Sequence, residues 1–444
     1  MLSIICRFTR NHGFMKYLKN TSWLFVEKLF RVIVGLLVSF WVVRYLGPEK
    51  FGLLSYAQSF VGLFIAISTL GLDGIVVREL VKDEGKRDAI VGTAFILKLL
   101  GSFGVLFVLA ISFYFTSNDT YTNSLMMVIA SATIFQSFNV IDFYFQSQVL
   151  SRFIVFVNII SLLFSSVVKI ILIINEAPLI AFAYVIVFDS IVMAIGFVYI
   201  YIKSSLSIKK WKYDKFLAVA LLKDSWPLVF GTIAASIYMQ IDQVMIKEIM
   251  DSTAVGYYAV SSRLSEVWLF ITVLITKSLL PLIINAKKQS ETLFLYRMQY
   301  LYNLLVKIAF FISVLISFFA QDIVVILFGE QYLQSVPILI IYVWSIVFVY
   351  ISNASTSYFL AENMQFHASL RLVFGAVINI ALNMMWIKSY GLNGAAYSTL
   401  CSYAFSSYFY NILFRSTYEN FKMQTKSIIN IFNVFSYKQI LQIR

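Results

Sequence analysis

Seven basic and six acidic side chains interrupt stretches of this 444-residue chain that are otherwise apolar enough to cross a lipid bilayer. The basic ones are Lys28, Arg31, Lys98, Lys169, Arg263, Lys277 and Lys307; the acids are Glu27, Asp73, Asp142, Asp189, Asp242 and Glu266. A charged group at the bilayer centre costs on the order of 2.5 to 3.5 kcal/mol even on lenient insertion scales. Seven cations left in hydrocarbon would cost on the order of 20 kcal/mol, more than the net stability of a typical fold. Several must therefore face water or a partner. Two clusters have the sharpest spacing. Glu27 and Arg31 are four residues apart and Lys28 and Arg31 three, so a helix over 23–45 puts the three on one face. Arg263 and Glu266 are three apart and Glu266 and Lys277 eleven, which aligns them along about 20 Å of one helix. Pro281 removes the backbone donor that would meet the Lys277 carbonyl, and a kink is expected there. On the preceding span Asp242 stands between Gln240 and Gln243, and the pair of spans reads as facing a cavity.

The plainer alternatives are snorkelling of Glu27 and Lys28 to a helix end and simple helix-to-helix salt bridges for Lys98, Lys169, Asp142 and Asp189.

The elements that must position these groups follow from composition. The chain is 60% hydrophobic, with 42 Phe and 27 Tyr against 13% charged residues, which a soluble surface could not tolerate. An all-α polytopic membrane protein is expected. About twelve transmembrane helices start near residues 23, 55, 89, 123, 153, 178, 226, 254, 303, 334, 367 and 393. Alternating the loops puts 24 Lys and Arg on one side, including Arg7, Arg10, Arg371, Lys438 and Arg444, and four on the other. The positive-inside rule then makes both termini cytoplasmic. The net charge of +13 is thus a matter of topology and calls for no nucleic acid. Cys6 and Cys401 lie far apart, and His12 and His367 are isolated, which argues against disulfides, structural zinc or a histidine triad. The basic N-terminus lacks a small-residue cleavage site, so the first span is read as retained.

The chain also repeats itself. Asn139 with Tyr144-Phe145 answers Asn353 with Tyr358-Phe359 at an offset of 214 residues, and Ala183-Tyr184 answers Ala396-Tyr397 one residue short of it. Phe51-Gly52 after the first span answers Val255-Gly256 after the seventh. Two six-helix lobes in a parallel repeat follow, with substrate held near the midplane. The expected boundaries are 1–202 for the first lobe, 203–225 for a basic linker, 226–415 for the second lobe and 416–444 for a cytoplasmic tail.

Five blocks stand out: W-L-F-x-E-K-x-F-R at 23–31, R-Y-L-G-P-E-x-F-G-L-L-S-Y-A at 44–57, L-G-L-D-G-I-V-V-R-E-L at 70–80, I-A-A-S-I-Y-M-x-I-D-Q-V-M-I at 233–246 and R-L-S-E-V-W at 263–268. Together they resemble the Wzx-type polysaccharide flippases of the MOP (MATE-like) superfamily. The pattern departs at Met239-Gln240, where a basic residue is expected in many relatives. The resemblance implies a two-lobed MATE-like fold in a bacterial inner membrane. It implies export of undecaprenyl-diphosphate-linked oligosaccharide repeat units, O-antigen or capsule, beside a polymerase and a chain-length regulator. For such a diphosphate substrate, Arg31 and Arg263 would be the binding residues, because the planar guanidinium matches phosphate oxygens. Lys28 and Lys277 would assist as point charges. Glu27, Asp73, Asp242 and Glu266 would balance these charges or exchange a coupling proton or sodium ion. No enzymatic activity or cofactor beyond a coupling ion is implied. The alternatives are a MATE-type ion-coupled drug exporter, for which acids should dominate the cavity, and a membrane polysaccharide polymerase, for which a large loop with carboxylates is expected. Residues 416–444 mix apolar and basic side chains and read as an interfacial helix. Asn118-Asp119-Thr120 matches a glycosylation sequon.

Overall fold

The computed structural model describes residues 12–432. Cys6, Arg7, Arg10, Lys438 and Arg444 lie outside the described residues. Among the described residues every regular element is helical. Ten runs are long and apolar enough to cross a membrane, and two of these contain one residue with non-helical backbone. Gly47 takes φ 72 and Gly391 φ 58, angles that favour a residue without a side chain. Pro48, directly after Gly47, opens the next helix at a position where its missing N–H costs nothing. Divided at these two glycines, the ten runs become twelve spans, the number expected from hydropathy. The chain is a multi-pass, all-helical membrane protein.

Among the largest differences from the expected starts are those at the seventh and ninth spans. Their helices begin at Lys215 and Glu291, ahead of the apolar runs near 226 and 303. Hydropathy sees only the buried or lipid-facing part of a helix, whereas the backbone continues through its polar first turns. Ser290 starts the ninth by accepting a hydrogen bond from Leu293 N at 3.1 Å. Asp119 does the same for the helix from Thr120, accepting from Thr122 N at 3.1 Å, so the sequon doubles as a helix cap.

By its contacts the chain forms two compact units. The first comprises residues up to Leu46 and Leu53–Ser236; the second comprises Gly47–Gly52 and Ile237 onward. The division thus falls inside the Lys215–Ile249 helix, not at the expected 225/226 boundary. The expected linker is also short and docked. Ile208–Lys210 forms a single turn, and Trp211 packs on Phe95 and Tyr201 with its Nε1 donating to the Tyr201 hydroxyl at 3.2 Å. Asp214 N donates to Thr93 Oγ1 at 3.0 Å, and Arg78 closes an ion pair with Asp224.

In the second unit the tail corrects the expectation of an interfacial helix. Tyr418–Ile429 is a helix whose Asn420, Met423, Gln424 and Ser427 are buried. Tyr302 donates to Asn420 Oδ1 at 2.5 Å, Gln424 Nε2 to Ser355 Oγ at 2.7 Å, and Gln299 Nε2 to Ser427 Oγ at 2.7 Å. Polar side chains that would have faced water on a membrane surface instead meet polar partners on the Glu291–Phe318 and Ser345–Ala361 helices, where each satisfies the other. Arg371, expected in a loop, lies inside the Gln365–Ser407 helix and is only 3% exposed.

Candidate substrate and ion site

In the first unit, the four-residue spacing of Glu27 and Arg31 closes an ion pair, Nε to Oε1 at 2.9 Å. Glu27 is buried, while the Arg31 side chain remains 43% exposed. Its two terminal guanidinium nitrogens make no hydrogen bond among the described residues. Lys28, exposed like Arg31 on the same helix, makes no ion pair among the described residues. Asp73 opens the short helix Asp73–Lys82 and accepts from Lys98 Nζ at 3.0 Å. Lys98 is buried, with its ammonium 4.8 Å from the Phe143 ring centre, and Asp73 is largely exposed. Asp189 accepts from Ser161 Oγ at 2.6 Å, a neutral partner on the Arg152–Ile174 helix.

The second unit carries the denser arrangement. Asp242 does not face an open cavity as its flanking glutamines suggested; it is 5% exposed. Its Oδ2 accepts from the Tyr258 hydroxyl and from Thr399 Oγ1, both at 2.7 Å, and its Oδ1 from Asn383 Nδ2 at 2.6 Å. Asn383 Nδ2 also reaches Asn379 Oδ1 at 3.1 Å, and Asn383 Oδ1 has no partner. No basic side chain pairs with Asp242 among the described residues. A carboxylate taken out of water with only neutral donors around it is costly unless a cation or proton joins it.

The Tyr258 and Thr399 oxygens also lie 2.8 Å apart, so with Asp242 Oδ2 they form a triangle with three hydrogen-bonding edges. Thr399 Oγ1 also lies 3.0 Å from the Ala395 carbonyl oxygen, a further acceptor for its proton.

Tyr258 extends the knot. Its ring meets that of Tyr342 edge-on at 5.7 Å, and the Tyr342 hydroxyl donates to Glu266 Oε1 at 3.3 Å. Glu266 is exposed and lines a small crevice with Leu269, Ser345 and Tyr403. Arg263, one turn earlier, is partly buried with its guanidinium 4.8 Å from the Phe51 ring centre. The α-helical hydrogen bonding lapses at Val267 and Trp268, which keep helical backbone angles, and Tyr350 donates to the Trp268 carbonyl there at 2.6 Å. The next helix, from Leu269, runs through Pro281, and Lys277 on it is exposed.

Sequence reasoning named Asp242, Arg263 and Glu266 but missed Tyr258, Thr399, Asn379 and Asn383. The signal was there for the last two. Two amides four residues apart in an otherwise apolar span have little reason to exist unless they bond within the bundle.

Comparison with solved structures shows that this all-helical membrane fold is similar to those of MATE and MurJ transporters. An inward-facing multidrug resistance MATE family transporter of the MOP superfamily superposes with a TM-score of 0.71 at 13% identity, over 91% of this chain and 96% of that one. The Lipid II flippase MurJ in an inward closed conformation gives 0.69 at 16% identity, over 92% and 91%. The Vibrio cholerae MATE transporter VcmN gives 0.61 at 12% identity, over 94% and 100%. The chain belongs to the polysaccharide biosynthesis protein family, whose model matches residues 17–287. No curated protein matches it significantly.

Proposed function

We propose that this protein is a flippase for polyprenyl-diphosphate-linked oligosaccharide repeat units of the O-antigen or capsule type, moving them from the cytoplasmic to the periplasmic leaflet of a bacterial inner membrane. The observation that carries the reading is membership of the polysaccharide biosynthesis protein family in a chain whose fold is that of a lipid II flippase and of MATE transporters. Each unit supplies an arginine to receive the diphosphate, Arg31 in the first and Arg263 in the second, with Lys28 and Lys277 as further positive charges. Arg31 suits this role because its pairing with Glu27 uses Nε and leaves the terminal nitrogens for phosphate oxygens. With the cell interior negative, moving an anion outward releases about 2.3 kcal/mol per charge for each 100 mV. Asp242 exchanges the coupling ion. Its burial among neutral donors, with the unpartnered Asn383 Oδ1 beside it, supports that role.

The test is deletion of the gene in its host, with lipid-linked repeat units assayed by leaflet. Accumulation on the inner leaflet, reversed by the wild-type gene and not by Arg31→Ala or Arg263→Ala, is the expected result. Normal surface polysaccharide in the deletion strain, together with new sensitivity to cationic drugs, would move the MATE-type exporter ahead; normal polysaccharide with either arginine variant would sink the cationic site.

A further inference from the structure

The helices Arg152–Ile174 and Leu179–Lys203 of the first unit leave between them a groove of about 680 Å³. Its wall is apolar, formed chiefly by Phe156, Val157, Ile160 and Val192. A notch opens at Gly196, where a Cβ would come within 2.7 Å of Val157 Cγ1. Phe156, Ile160 and Tyr199 are 51%, 48% and 62% exposed, so the groove opens sideways, toward where lipid lies around a membrane helix bundle.

Its mouth is different in kind. Arg152 is the first residue of one helix and Lys203 the last of the other, and both line the groove. Both are exposed, and neither meets a carboxylate among the described residues. The Arg152 guanidinium lies 4.7 Å from the Phe153 ring centre and the Lys203 ammonium 5.8 Å from that of Tyr199, so aromatic faces hold both cations at the rim. Exposed Lys209, Lys210 and Lys212 follow directly in the chain. Along the helices the groove runs from Arg152 to Ile160 on one side and from Val192 to Lys203 on the other. At 1.5 Å per residue that is about 12 to 17 Å, roughly half the ~30 Å hydrocarbon thickness.

We propose that this groove is a binding site for an anionic phospholipid, with the phosphate between Arg152 and Lys203 and one acyl chain laid along Phe156, Ile160 and the Gly196 notch. An apolar trough one leaflet deep with two carboxylate-free cations at its rim complements a headgroup phosphate and a single chain. Basic pockets between membrane helices select anionic headgroups by charge. The site is distinct from the residues assigned above to the diphosphate and the coupling ion. Its occupant is a lipid of the surrounding leaflet, because the rim offers two cations and little else that could read a sugar.

The experiment is native mass spectrometry of the full chain released from nanodiscs of mixed phosphatidylethanolamine and phosphatidylglycerol. Wild-type protein should retain phosphatidylglycerol in preference to phosphatidylethanolamine. Arg152→Gln with Lys203→Gln should lower that retention by about 30-fold, since each cation near an anionic headgroup contributes about fivefold. Ile160→Trp keeps both cations but fills an exposed part of the trough, so it should also lose the lipid and decides the matter if the charge variant fails to fold. Lys209→Gln with Lys210→Gln should keep it. Unchanged phosphatidylglycerol retention in both groove variants, or equal retention of the neutral lipid by wild type, would overturn the proposal. So would displacement of phosphatidylglycerol by an equimolar polyprenyl diphosphate, which would make the lipid-linked substrate the occupant.

Discussion

Asp242 concentrates the chemistry of the second unit in one side chain. Three neutral donors surround it at 2.6 to 2.7 Å, and no cation joins them among the described residues. If this knot were only structural, Asp242→Asn would cost stability and little else, because asparagine keeps the shape but leaves one hydroxyl or amide facing another donor. If Asp242 exchanges a proton or sodium, the same variant should fold, insert and bind substrate yet lose the dependence of transport on the ion gradient. Flipping measured in proteoliposomes with and without imposed proton and sodium gradients separates the two. We expect gradient-driven flux to fall at least tenfold, about 1.4 kcal/mol, with gradient-independent exchange preserved. Arg371 shows how burial alone can mislead. It too is buried, with Nε and Nη1 unpaired, but its Nη2 donates to Ser352 O at 3.0 Å and Thr356 Oγ1 at 2.7 Å, and its guanidinium lies over Phe359, so it serves the packing of its own bundle.

Among the elements, the tail helix separates local pattern from tertiary outcome most clearly. A helix resting on lipid would place Asn420 and Gln424 in water, and their loss would change little. Docked as it is, each is buried and bonded, and removing one partner leaves the other unsatisfied at a cost of about 1 to 3 kcal/mol. Asn420→Ala should therefore lower the thermal unfolding temperature of the purified protein in detergent, with Tyr302 left without its 2.5 Å partner. Gln424→Ala should add to the loss less than independently, since Tyr302 and Gln424 share Ser355. An unchanged melting curve for the double variant would return the tail to the membrane surface.

For the molecule as a whole, the chain visits the second unit for six residues, Gly47–Gly52, before returning to the first at Leu53. There the two glycines of the repeated motif meet. A Cβ on Gly52 would lie 1.7 Å from the Ser252 carbonyl oxygen, and one on Gly256 would lie 2.0 Å from the Pro48 carbonyl oxygen. Backbone therefore touches backbone, a contact only glycine permits on both sides, as in small-residue crossings of membrane helices. Gly52→Ala or Gly256→Ala must push the two helix starts apart, at roughly 1 to 3 kcal/mol for an overpacked contact. Either variant should therefore lower the thermal unfolding temperature of the purified protein in detergent while it still reaches the membrane. An unchanged melting curve would mean that the contact yields without cost.

The sequence by itself determined the membrane class, the twelve spans and the internal repeat, because each rests on local periodicity or on the cost of charge in hydrocarbon. Its motif blocks pointed to the family. It also placed Glu27 and Arg31 on one helical face, since four residues is about one helical turn. What it could not determine were the partners drawn from distant spans. Asp242 depends on Tyr258, Asn383 and Thr399, and the last two stand 141 and 157 residues away. The tail helix depends on partners up to 128 residues away. Helical spacing fixes which side chains share a face and leaves open what that face meets. Only the tertiary structure decided that the Asp242 face meets hydroxyls and amides, that Arg31 alone closes on Glu27, and that the Trp268 carbonyl meets a distant tyrosine.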